Sequence, residues 1–199
     1  MQGMSASGRQ LPVQTVGEFS SRQPAKLTRM AKFGQKRFLS GQELKRKMTN
    51  LILEKTDQVR MYTNMRDIFE AANIAPQDYD WYISDIETNW RPPGFRPDDQ
   101  WFTGDKLAAF LYAHEIQFIW AVFSAVPKGL RLIPAQAPYV EDNPRYWDGT
   151  EPEPQLEGAL FEIVCWDSSG TILINLPAQA IDSFVNRYPD AKPLATARS

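Results

Sequence analysis

From residue 41 onward the apolar positions follow two periods, and the switches between them divide the chain into elements. Leu44, Met48, Leu51 and Ile52 recur at helical spacing among Glu43, Lys45, Arg46, Lys47 and Glu54, which predicts an amphipathic helix from Gly41. A second helical stripe starts at Asp57 with Val59, Tyr62, Met65, Phe69 and Ala72, and Pro76 closes it. No strong breaker separates the two, so one long helix is an alternative. At Tyr79 the period becomes two: Tyr79, Trp81 and Ile83 alternate with Asp80, Tyr82 and Ser84, the pattern of a half-buried strand ending near Asp85–Glu87. Prolines make Asn89 to Pro97 a loop, and Gly104 to Glu115 returns to helix with Leu107, Phe110 and Leu111 on one side. Phe118 to Phe123 is a continuous apolar run, expected to be a central strand. Pro127-Lys128-Gly129 turns it toward a short returning strand at Leu130, Leu132 and Ile133.

Residues 134–157 hold five prolines and no period, which predicts a long loop; loops of that length in a compact domain are commonly functional or disordered. Leu160 to Trp166, Asp167 to Gly170 and Thr171 to Ile174 read as strand, turn and strand. A helix follows over Pro177 to Tyr188, with Ile181, Phe184 and Val185 on its apolar face and Pro177 in its first turn. The expected fold is α+β, a mainly antiparallel sheet with helices packed on one face. Residues 1–40 form a flexible basic N-terminal extension in this reading, 41–192 a single α+β domain, and 193–199 a loose C-terminal tail.

Composition narrows the class. Hydrophobic residues at 43% and aromatics at 12%, six tryptophans among them, exclude a disordered body. Cys165 is the single cysteine, so neither an intramolecular disulfide nor a cysteine-rich zinc site can be built, and a cytoplasmic location is expected. The first residues lack the apolar core of a signal peptide, and Ile116 to Val126 is too short to span a bilayer, so no membrane partner is expected. Charge is divided by position: residues 1–60 carry 12 Lys/Arg against 4 Asp/Glu, and residues 61–199 carry 10 against 20. A basic arm on an acidic body implies charged partners, because such fields steer and select encounters.

Candidate chemistry is sparse. Asp85-Ile86-Glu87-Thr88 resembles the first motif of DEDD-type 3′–5′ exonucleases, in which a strand delivers Asp and Glu to paired magnesium ions. The further acidic stretches, Asn143 to Asp148 and Tyr188 to Asp190, depart from that family's spacing. His114 beside Glu115 reads as a dipole or capping partner at a helix end, Ser168 and Ser169 as turn formers, and Cys165 as core packing. No catalytic residue and no cofactor is therefore expected. The basic run over residues 26–47, with Phe33 and Phe38, offers phosphate contacts and stacking to a nucleic acid. The long loop carries Tyr139, Glu141, Asp142, Tyr146, Trp147, Asp148, Glu151 and Glu153, the residue mix of a binding surface for a basic protein. Trp90, Phe95, Trp101 and Phe102 in the other proline-rich loop are too apolar for bare solvent.

Three fragments carry a resemblance: Tyr79 to Glu87, Gln117 to Ala125 and Glu162 to Thr171. In this order they resemble small bacterial proteins that act as immunity partners of polymorphic secreted toxins, over about residues 79–190. The resemblance implies a cytosolic inhibitor that occludes a toxin's catalytic domain and has no catalysis of its own. Tyr146 and Trp147 are then the expected anchors, with Glu141, Asp142 and Asp148 as charge partners.

Overall fold

A computed structural model describes residues 50–197 of this chain. Contacts divide the chain into Met1–Phe38 and Leu39–Ser199, and all described residues belong to the second unit. The basic extension, the run over residues 26–47 and the start of the first predicted helix lie outside the described residues.

Seven strands form one antiparallel sheet in the order β3-β2-β4-β5-β6-β1-β7. They are β1 (Leu51–Glu54), β2 (Tyr79–Thr88), β3 (Gln100–Thr103), β4 (Phe118–Pro127), β5 (Phe161–Trp166), β6 (Gly170–Ile174) and β7 (Lys192–Pro193). Helices α1 (Met65–Ala72), α2 (Gly104–Ala113) and α3 (Ala178–Arg187) complete the α+β fold. Alternation sorts the strand residues between the two faces. Leu51, Leu53, Trp81, Ile83, Ala121, Phe123, Ala125, Phe161, Ile163, Cys165 and Leu173 pack under the three helices. Ile52, Val122, Val164, Ile172 and Ile174 point the other way, toward Val140, Tyr146, Leu194 and Ala197.

Four sequence expectations need correction. Leu51 and Ile52 belong to a strand and not to a helix: Leu51, Ile52 and Leu53 are all buried, because β1 lies between β6 and β7 with both faces covered. The helix expected from Asp57 starts only at Met65, since Lys55 has φ 53° and the Tyr62 hydroxyl bonds both backbone groups of Thr56, closing the segment as a loop. Leu130, Leu132 and Ile133 form no strand, because both edges of β4 are taken, by β2 and by β5. The tail is not loose over Lys192 to Ala197: β7 pairs with β1, and Leu194 and Ala197 are buried.

Elsewhere the predicted elements form. Asp167 and Ser168 occupy the β5–β6 turn with φ 43° and 55°, the left-handed pair that suits strand twist. Gly104 joins β3 to α2 where no side chain fits: a Cβ there would lie 2.2 Å from the Pro76 carbonyl oxygen and 2.3 Å from that of Tyr79. Among the described residues no helix is long and apolar enough to cross a membrane.

Candidate functional site on the loop-covered face

The face opposite the helices is covered by the irregular chain from Lys128 to Leu160 and by the C-terminal residues. A loop leaves its backbone groups without regular partners, so they must find others or face water. Polar residues of the sheet supply them. Asp80 accepts from the Gly129 N–H at 2.9 Å and from Arg131 at 2.8 Å. Ser84 donates to the Pro138 carbonyl at 2.8 Å, and Asp85 accepts from the Val140 N–H at 2.7 Å. Glu162 accepts from the N–H groups of Gln155 and Leu156 at 2.8 and 2.9 Å and from the Ser124 hydroxyl at 2.8 Å. Asn50 donates to the Pro152 carbonyl at 2.8 Å.

Two of these carboxyls shift in opposite directions. Burial raises the pKa of Glu162 above the ordinary carboxylate value despite the bonds from Gln155, Leu156 and Ser124. Burial pushes Asp80 the same way, but the Gly129 N–H and Arg131 outweigh it and leave its pKa lowered.

Anchored in this way, the loop brings Glu141, Asp142 and Trp147 to the end of the sheet where β1 and β5 finish. There they border a cleft of about 670 Å³ with Trp120, Trp166, Glu54 and Lys55. Trp120 and Trp147 each meet Trp166 nearly at right angles, with ring centroids 5.2 and 4.6 Å apart, so the rings form walls and not a stack. All three are half-buried. Trp166 and Glu54 both pair with Gly170, whose missing side chain leaves room between them. Glu54 is tied to Lys192 at 2.8 Å. Among the described residues neither Glu141 nor Asp142 forms an ion pair.

The other expected contact residues divide. Tyr146 is 2% exposed, and its hydroxyl accepts from Gln155 at 2.6 Å, so its ring packs inside the loop instead of standing ready as an anchor. Burial, followed by the nearby Glu162 charge, raises its pKa. Tyr139 is partly exposed and holds Gln155 and Asn143 through its backbone. Asp148 turns back on Thr150, whose side-chain and backbone donors lower its pKa. Glu151 and Glu153 are exposed and do not border the cleft.

Trp120, Trp166 and Glu54 were not expected at a site. Their signal was parity, since each occupies a strand position pointing away from the helices; it becomes readable only once the strands are in register.

Of the acidic pair singled out for metal chemistry, Asp85 has another use. Asp85 sits at a β-bulge with φ 54° and spends its carboxylate on Val140, while its own N–H donates to Asp99 at 3.1 Å. Glu87 is exposed, opposite Trp120. Among the described residues no group of three His, Cys, Asp or Glu side chains is placed to hold a metal ion. His114 follows the last turn of α2 against Phe110 and Trp90, and Cys165 is buried beside Met65. No protein-family model, curated protein or solved structure matches this chain.

Proposed function

We propose that this protein is a binding protein of the toxin-immunity type, which captures and occludes a basic protein partner in the cytoplasm through its loop-covered face. One observation carries the reading. The loop holds Glu141, Asp142 and Trp147 beside two further tryptophans, so apolar area and negative charge meet in one concave surface. Aromatic walls supply contact area at small conformational cost, and carboxylates on the rim accelerate and select the encounter. The carboxylates buried beneath serve the loop's own backbone, and this division of labour suits a preformed surface better than a reaction centre.

The test pairs this chain with a basic protein domain, such as the product of an adjacent gene. Binding is expected to weaken with rising salt, and about tenfold on Trp147→Ala or on combined neutralisation of Glu141, Asp142 and Asp148. Affinity and salt dependence unchanged in both variants would show that this face is not the one used. Manganese-dependent loss of single-stranded nucleic acid, abolished by Asp85→Ala, would replace the reading with a nuclease.

A further inference from the structure

At its far end the same face already holds a cation. Arg131 lies 4.8 Å over the Trp101 ring while its guanidinium pairs with Asp80 at 2.8 Å. An aromatic ring and a carboxylate together satisfy the charge there, since the ring presents its negative face and the carboxylate completes the hydrogen bonding.

The tryptophan cleft repeats those ingredients without a cation of its own on a ring. Trp120, Trp147 and Trp166 wall it, and Glu141 and Asp142 stand at its rim. Lys55 also borders it, but its side chain is 77% exposed and reaches toward Glu54 at 3.8 Å. Neither cation–π contact among the described residues involves these three rings. Asp142 holds φ 56°, a conformation that Asp and Asn tolerate better than most residues, and it stands exposed at the rim.

We infer that this cleft is a recognition site for a single cationic side chain, an arginine or lysine projecting from the partner polypeptide and seated against Trp120, Trp147 and Trp166 with Glu141 and Asp142 as its counter-charges. The inference rests on the capture reading and sharpens it, because it names the group that the face takes. The volume exceeds one side chain, which leaves space for the flanking backbone of the peptide that carries it.

The test titrates the protein with a glycine-flanked arginine peptide and with the same peptide carrying citrulline, which keeps nearly the shape of arginine but replaces its charged, donor-only guanidinium with a neutral urea whose carbonyl oxygen accepts. The readouts are tryptophan fluorescence and the indole N–H resonances, assigned by single Trp→Phe changes. The arginine peptide is expected to shift the indoles of Trp120, Trp147 and Trp166 and to bind about tenfold more tightly than the citrulline peptide. Trp147→Ala should remove that preference. Glu141→Gln combined with Asp142→Asn, which preserves the backbone, should reduce it about fivefold and flatten its salt dependence. Equal binding of the two peptides, or shifts confined to other tryptophans, overturns the inference. If the arginine peptide fails while the intact basic partner still binds in a salt-dependent way that Glu141 and Asp142 control, the cleft assignment falls and the capture reading stands. If neither binds, both fall.

Discussion

The two faces of one sheet are covered in different ways. Three helices lie on the first, and the strand residues beneath them are almost all apolar. Helices satisfy all but their terminal backbone groups, so the sheet supplies chiefly area, apart from Asp80, which also accepts from the Gly104 N–H at the start of α2 at 3.3 Å. An irregular chain of some thirty residues lies on the second, where Asp80, Ser84, Ser124 and Glu162 are buried among the valines and isoleucines. A loop cannot satisfy its own backbone, so the sheet supplies hydrogen bonds as well. The contrast explains how a proline-rich acidic segment becomes ordered enough to present Glu141, Asp142 and Trp147 in fixed positions.

Removing area should cost most. Phe123 and Phe161 are fully buried under the helices, and Phe123→Ala should lower unfolding free energy by about 3–5 kcal/mol. Urea denaturation measures the loss, which on this face should depend little on pH. Because the transition involves the whole sheet, amides throughout the described domain should lose protection together.

Removing an anchor should have a smaller and more local effect. In Glu162→Gln one of the two loop N–H groups meets an amide N–H in place of an oxygen, at a cost of about 1–3 kcal/mol. Hydrogen exchange at Gln155 and Leu156 should accelerate before that at β4 or β5. The pH dependence separates this anchor from Asp80. The folded protein binds the Glu162 proton more tightly than the unfolded chain does. That contribution to stability is therefore complete below the ordinary value of about 4.3 and is lost as pH rises through the raised one. The Asp80 pKa is lowered, so its contribution is present above about 3.9 and is lost as pH falls through the lowered one. Urea midpoints against pH should lose the first slope in Glu162→Gln and the second in Asp80→Asn. Slopes that survive both changes would place the pH dependence elsewhere.

Much of the helix-covered face was legible in the chain, because burial there leaves a periodic record. Trp81 and Ile83 alternate, and α2, α3 and the β5–β6 hairpin fall close to where their stripes and turns place them. Leu51-Ile52-Leu53 misled because a short apolar run fits a helix turn and a doubly covered strand equally well, and only the neighbouring strands decide. Gln100–Thr103 was hidden by its length and by the prolines before it. The loop-covered face left a record of another kind. Asp80, Tyr82 and Ser84 read as a solvent side because sequence reports that they are polar, not that a distant loop backbone will use Asp80 and Ser84 or that the Tyr82 hydroxyl will donate to Asp99. The same limit governed the site. The acidic half and Trp147 were visible as composition, whereas Trp120 and Trp166 looked like core until β4 and β5 were paired. Tyr146 looked like an anchor although its hydroxyl is needed inside.

The sharpest test of the contrast asks whether the face matters or only the regularity of what covers it. Polar strand residues are not confined to the loop side. Thr171 lies in β6, is buried, and donates its hydroxyl to the Tyr62 carbonyl, in the irregular stretch before α1. If covering segments without regular structure are what require polar strand residues, Thr171 and Ser84 do equivalent work although they serve different segments. Thr171→Val and Ser84→Ala should then each cost about 1 kcal/mol, the net worth of one buried hydrogen bond, with exchange rising around Tyr62 in the first and around Pro138 in the second. A neutral Thr171→Val beside a costly Ser84→Ala would mean that the loop-covered face depends on its polar anchors in a way the other does not. Equal costs would extend the rule to both faces and reduce their difference to the presence of three helices.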